Sequence, residues 1–255
     1  MSDSFRNIIK SGRRLIGTWI QIPHPDIAGI LADKGFDWIC ADMEHTEFEV
    51  RDFSRMAEAV SGRGGSPVAR VADNEKMAIR RVLDAGAEGV IVPLVNNKEE
   101  AERAVSFAKY PPEGIRGYSF CRANGFGERF DEYAENANAS TAVIVMIESA
   151  EAVRNIDEIL SVEGVDGIFI GPYDMSGSYG ITGQTSHPVI SEAIDKVARA
   201  CKRHGKAAGI HIVDVNEGAI KNAIDRGFAF IAIATDTVFL RTGAEKALGE
   251  AGHAK

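Results

Sequence analysis

Ala142-Val143-Ile144-Val145-Met146-Ile147-Glu148 is a row of apolar residues closed by an acid. Gly164-Val165-Asp166-Gly167-Ile168-Phe169-Ile170-Gly171-Pro172-Tyr173-Asp174 repeats that pattern after a segment of helical period at 150–160. A strand with one wet face alternates apolar and polar residues, whereas a run apolar at every position is covered on both faces, as in a parallel sheet. The polar residues are held back until the strand has ended. The two stretches therefore read as one strand–helix–strand unit with chemistry at its strand ends.

The same unit recurs outward in both directions. Apolar, β-branched runs fall at 15–21, 37–41, 67–71, 89–93, 142–147, 167–170, 207–212 and 228–233. Helical periodicity occupies 25–34, 49–61, 76–85, 98–108, 150–160, 191–204 and 216–226, with a last helix predicted at 244–250. Gly35, Gly86, Gly164, Gly205 and Gly227 stand where each of five helices hands over to the next strand, the position a helix C-terminus reserves for glycine. Eight such units in 255 residues predict an α/β chain, a (β/α)8 TIM barrel, with residues 1–255 as one domain. An open doubly wound sheet is the alternative, but no G-x-G-x-x-G follows the first strand. The stretch 110–140 reads as a long irregular loop, a length that is often functional.

Composition removes other classes. A hydrophobic content of 45% and glycines without period exclude disorder and collagen-like repeats. The formal charge is −8, with no clustered basic excess to meet phosphates, which argues against nucleic acid as a partner. Cys40, Cys121 and Cys201 are widely spaced and suggest neither a disulfide framework nor a thiolate zinc site. Met1-Ser2-Asp3-Ser4-Phe5-Arg6 lacks a secretory apolar segment, and no run is long enough to cross a membrane. The expectation is a soluble cytoplasmic protein.

Barrel chemistry sits at the C-terminal ends of the strands. Those positions hold Trp19 and Gln21, Asp42 to His45, Arg70, Pro93, Glu148, Gly171-Pro172-Tyr173-Asp174, His211 and Asp236. Glu148 and Asp174 can offer oxygen ligands to a hard divalent cation whose other positions go to water and substrate. Each also has a plainer reading, Glu148 as a first-turn acid and Asp174 as a helix cap. Arg70 is either a salt-bridge partner or a planar fork for a carboxylate or oxyanion. His45 follows Asp42 at a spacing that lets a carboxylate orient its imidazole. His211 is either a pocket residue or a core histidine bonded to backbone. A pocket-facing His211 would favour a ligand group bearing a hydroxyl or carboxylate over an alkyl one. No G-x-S-x-G or P-loop is present, and the lysines fall on helices or their flanks, which disfavours Schiff-base chemistry.

The ordered set of motifs resembles the HpcH/HpaI class II pyruvate aldolases. It comprises Gly17-Thr18-Trp19, Asp42-Met43-Glu44-His45, Arg70-Val71, Leu83-Asp84-Ala85-Gly86 and Val92-Pro93-Leu94-Val95. It continues through Tyr110-Pro111-Pro112-Glu113-Gly114-Ile115-Arg116-Gly117, Ile147-Glu148-Ser149, the run from Val162 to Ser176, and Thr235-Asp236-Thr237.

The resemblance implies a barrel of the phosphoenolpyruvate/pyruvate type with an extra, swapped C-terminal helix, assembled as a hexamer (a trimer of dimers). It implies that Glu148 and Asp174 ligate Mg²⁺, Mn²⁺ or Co²⁺ and that Arg70 binds the keto oxygen of pyruvate. His45, supported by Asp42 and Asp84, would transfer protons together with a metal-bound water. Amides around Gly171, Pro172, Tyr173 and Asp174 would receive the pyruvate carboxylate, and Trp19 and His211 would line the substrate pocket. The function implied is reversible cleavage of a 4-hydroxy-2-oxo acid to pyruvate and an aldehyde. Oxaloacetate decarboxylation or a citrate-lyase-like cleavage shares the same enolate and stands as the alternative, with a non-catalytic barrel as a second. The chain departs from the family at Met146, where the best-known members have Gln, at His211, where they have an aliphatic residue, and in the segment 117–127.

Overall fold

The computed structural model describes residues 4–253; residues 1–3 and 254–255 of the expected domain and N-terminal segment lie outside them. Eight strands, β1 (Leu15–Ile20), β2 (Trp38–Asp42), β3 (Ser66–Arg70), β4 (Gly89–Val92), β5 (Ala142–Ile147), β6 (Gly167–Ile170), β7 (Ala207–Ile212) and β8 (Phe230–Thr235), form a closed parallel barrel in sequence order. Around and between them run α1 (Phe5–Lys10), α2 (Pro25–Ala32), α3 (Val50–Ser61), α4 (Lys76–Asp84), α5 (Lys98–Ala108), α6 (Phe130–Ser140), α7 (Ala150–Arg154), α8 (Ile156–Ser161), α9 (Pro172–Ser178), α10 (Pro188–His204), α11 (Glu217–Asp225) and α12 (Asp236–Glu250).

All eight expected strands are present, and the five joint glycines all have positive φ. The differences lie in the helices. The stretch 110–140 is not one loop: it holds a 3₁₀ segment, Arg122–Gly127, and α6. The sequence of α6, Phe-Asp-Glu-Tyr-Ala-Glu-Asn-Ala-Asn-Ala-Ser, buries only Ala137, so it lacks the apolar stripe by which a helix is read. The helix expected at 150–160 is broken at Asn155, and the last helix begins at Asp236, capped by the Thr235 hydroxyl, rather than at 244.

Two apolar cores follow from the strand alternation. The larger packs outward-facing strand residues against the helices. The smaller fills the barrel: Trp38 stacks on Phe230 with ring centroids 4.2 Å apart, Phe169 meets Phe230 edge-on at 5.7 Å, and Trp19 meets Phe169 at 5.4 Å. Rings of this size fit because two strand positions have no side chain. A Cβ on Gly17 would run into the Trp38 indole, and one on Gly209 would lie 2.6 Å from Phe169 and 2.7 Å from Phe230. Phe5 of α1, 6.0 Å from Phe230, closes the N-terminal end of the barrel. The packed floor leaves the C-terminal end as the place where polar side chains can gather.

Candidate active site

A cavity of about 700 Å³ opens at that end, lined among others by Trp19, Asp42, Arg70, Met146, Asp174 and His211. Of the residues expected at the site, Gly171, Pro172 and Tyr173 line it too.

Asp42 ends β2 and Arg70 ends β3, paired in register. The carboxylate of Asp42, 2% exposed, takes Arg70 Nε at 3.0 Å and Nη2 at 2.6 Å, a two-point fork. Trp19 covers the guanidinium at 4.7 Å. Nη1 is the nitrogen without a protein partner among the described residues. Asp42 also accepts the backbone N–H groups of Glu44 and His45, each at 3.2 Å. It therefore shapes the loop and holds Arg70 and does not grip the His45 imidazole.

That ring meets Glu44 instead, Nε2 to Oε2 at 3.7 Å, and its side chain is 60% exposed at the rim. Asp84 is elsewhere. It ends α4, at the N-terminal face, where it binds Arg116 Nη2 at 2.8 Å. Within one chain it does not support His45, because a helix that leads into a strand ends at the barrel floor.

Glu148 follows β5 and is 6% exposed. Its Oε1 accepts Leu94 N–H at 2.7 Å, an amide aimed there by the left-handed conformation of Leu94 (φ +56°). Its Oε2 lies where a Cβ on Gly171 would come within 3.0 Å, so this glycine is the one residue type that leaves the carboxylate room. Burial pushes the Glu148 carboxyl pKa upward, and Glu44 and Asp174 push it further. Glu44 behaves alike: burial raises it, and the nearby Asp42 and Asp174 add to that against Arg70 and His45.

Glu44 stands in the stretch Asp42 to His45 but receives no role of its own from the sequence, although it sits two positions after Asp42, a period-two signal that could have singled it out. Its Oε2 is buried and takes no hydrogen bond, lying 3.4 Å from Arg70 Nε and 3.7 Å from His45 Nε2. Glu44, Glu148 and Asp174 thus lie in one another's field, with Arg70 the one Arg or Lys among the described residues lining the cavity. An excess of oxygen anions over the charge of Arg70, with a cradle kept open by Gly171, fits a hard divalent cation. No group of three His, Cys, Asp or Glu among the described residues encloses an ion on its own. Glu148 and Asp174 remain as the pair that would hold one.

His211, one residue before the end of β7, is half-buried. Its Nε2 lies 2.8 Å from the Ala234 carbonyl and its ring lies beside Trp19 at 5.8 Å. The two readings of this residue hold together: it is bonded to backbone and it lines the cavity.

Comparison with known proteins agrees with this architecture. The model of the HpcH/HpaI aldolase/citrate lyase family matches residues 15–242. A hydroxypyruvate/pyruvate aldolase of Roseobacter denitrificans is 40% identical over 94% of each chain. A 4-hydroxy-2-oxo-heptane-1,7-dioate aldolase of Shigella sonnei is 38% identical over 96% of this chain and 93% of its own. The crystal structure of a family protein from Burkholderia cenocepacia superposes with a TM-score of 0.92 at 33% identity, covering 96% of this chain and 98% of that one. With a closed parallel barrel, acids and an arginine at its C-terminal mouth and relatives matched over nearly the full length, the chain belongs to the HpcH/HpaI aldolase/citrate lyase family and is a carbon–carbon lyase of the aldolase type.

Proposed function

We propose that the chain, as one catalytic domain, cleaves a 4-hydroxy-2-oxo acid reversibly to pyruvate and an aldehyde, with Mg²⁺, Mn²⁺ or Co²⁺ held by Glu148 and Asp174. The observation that carries this reading is the crowding of Glu44, Glu148 and Asp174 around a single arginine. When bound, the cation would supply a Lewis acid for the 2-oxo acid.

The chain's own groups do the rest. Arg70, held rigid by Asp42, faces the oxygen on which enolate charge develops as the C3–C4 bond breaks. The first-turn amides of Tyr173 and Asp174 in α9 receive the pyruvate carboxylate, since Pro172 offers none and the Gly171 N–H is spent on the Ile147 carbonyl at 3.3 Å. His45, near Glu44 at the rim, takes the proton from the 4-hydroxyl group. Trp19 and Phe169 wall the site with apolar surface, and no lysine lines it among the described residues. The working form would be the hexamer of the family, made of three dimers.

The test is pyruvate release from a set of 4-hydroxy-2-oxo acids and from oxaloacetate, before and after treatment with EDTA. Cleavage of the hydroxy-oxo acids that stops with EDTA and returns with divalent cation is expected. Trapping of a pyruvate adduct by borohydride, or turnover of oxaloacetate alone, would overturn the proposal.

A further inference from the structure

The cavity mouth has two chemically different halves. β2, β3, β5 and β6 bring the charged groups just described. β7, β8 and β1 bring His211, Thr235, Thr237, Gln21 and Trp19, all neutral. Asp214, after β7, also lines the cavity.

The hydrogen-bond polarity of the neutral half can be read atom by atom. The Ala234 carbonyl can only accept, so His211 Nε2, 2.8 Å away, carries the ring's hydrogen. That carbonyl is aimed by a left-handed Ala234 (φ +50°), a conformation a residue with a Cβ adopts at a cost, and one that clusters at functional sites. Burial pushes the His211 pKa down and keeps the ring neutral. Nδ1 is then a lone-pair acceptor, and the ring carrying it lines the cavity. On the neighbouring strand ends, the Thr237 hydroxyl donates to Gln21 Oε1 at 2.7 Å, and Thr235 donates to Thr237 at 2.8 Å. That chain occupies one lone pair of Gln21 Oε1 and leaves the amide N–H groups of Gln21 as donors.

A hydroxyl group donates and accepts, which matches the Nδ1 acceptor of His211 and the amide donors of Gln21 in this half of the mouth. An alkyl group leaves Nδ1 dry and unpaired. A carboxylate cannot donate to Nδ1 and faces Asp214, and the one arginine near this side, Arg70 over the Trp19 ring at 4.7 Å, is already forked on Asp42. We propose that this half of the cavity receives the aldehyde fragment and that His211, through Nδ1, selects an aldehyde bearing a hydroxyl group over one bearing an alkyl chain or a second carboxylate. This narrows the expectation of a hydroxyl- or carboxylate-bearing aldehyde to the hydroxyl-bearing one, and it rests on the aldolase reading above.

The experiment ranks kcat/KM for condensation of pyruvate with glyceraldehyde, butanal and 4-oxobutanoate, with exchange of the pyruvate C3 hydrogens for deuterium measured in the same samples. Glyceraldehyde ahead of both others is expected. His211→Leu should cut the glyceraldehyde-to-butanal preference by about 10- to 100-fold. His211→Asn, whose Oδ1 stands near the place of Nδ1, should retain most of it. Butanal or 4-oxobutanoate ranking first in the wild-type protein, or a preference unmoved by His211→Leu, would overturn the proposal while C3 exchange continued. Absence of C3 exchange in the wild type would instead overturn the aldolase reading and this proposal with it. Should His211→Leu fail to fold, the wild-type ranking still decides.

Discussion

The two ends of the barrel use the same residue types to opposite effect. At the N-terminal floor, acids and bases meet partners. Asp166 binds Arg6 Nε at 2.7 Å with one oxygen and the Val143 N–H at 3.0 Å with the other. Asp37 does the same with Arg13 at 2.7 Å and the Ile16 N–H at 2.8 Å. Arg116 gives Nη2 to Asp84 and stacks on the faces of Tyr110 and Tyr133, its Nε and Nη1 being buried against those rings without a hydrogen bond. Lys109, fully buried, gives its protons to the carbonyls of Asn138 and Thr141. At the C-terminal mouth, by contrast, Glu44, Glu148 and Asp174 share the one guanidinium of Arg70, which Asp42 already holds in a fork and whose Nε reaches Glu44 Oε2 at 3.4 Å without a hydrogen bond. Charges that are matched hold a fold; charges left in excess are waiting for a ligand. The difference assigns stability to one end and chemistry to the other.

The largest effect should come from removing an acid of the mouth. Glu148→Ala or Asp174→Ala should abolish cleavage, a loss of about 10³-fold or more, together with Mn²⁺ binding measured by calorimetry, while the melting temperature stays near the wild-type value. A variant that keeps turnover would break the contrast between the two ends. Next comes Arg70→Lys, which keeps a point charge but gives up the fork on Asp42. A fall in kcat of about 10²-fold is expected, the scale of losing one donor at a developing oxyanion. Wild-type turnover would remove Arg70 from the chemistry.

At the floor the expected change is in stability. Asp166→Ala leaves Arg6 and the Val143 N–H without their acceptor, and a loss of about 2–3 kcal/mol in denaturant unfolding is expected, with activity per folded molecule retained. A loss of activity with unchanged stability would reverse the assignment.

The smallest effect is a pH slope. Burial lowers the Lys109 pKa to about 8, below its value of about 10.4 in an unfolded chain. Between those values the unfolded chain holds a proton the folded one has released, so this group's contribution rises with pH across that window and is lost as pH falls through about 8. Lys109→Met should flatten the rise in urea stability between pH 8 and 10; an unchanged slope would show that the ammonium is not so placed.

How much of this could be read from the residues follows the same division. Strands buried on both faces are written as continuous apolar runs, and the glycines that end the helices mark where each strand begins, so the barrel was legible throughout. Residues directly at strand ends, such as Arg70, Glu148 and His211, were legible because the barrel fixes where strand ends point. Asp84 was not, since its distance from His45 depends on which face a helix ends at, a matter of direction and not of spacing. Glu44 lay in plain sight beside His45, but only the third dimension shows that its Oε2 is buried beside Arg70 without a hydrogen bond. The helices α1 and α9 are too short to display a period, and α6 lacks an apolar stripe. The tautomer of His211 depends on the carbonyl of Ala234, twenty-odd residues away in the chain, which no local pattern announces.

The most direct test of the contrast is exchange of the pyruvate C3 hydrogens for deuterium, followed by proton NMR on protein stripped with EDTA and then supplied with Mg²⁺. The stripped protein should leave the methyl signal intact, Mg²⁺ should make it decay, and Glu148→Gln should remain inert with Mg²⁺ present. Decay of the methyl signal in the stripped protein, or in Glu148→Gln at the wild-type rate, would contradict the account.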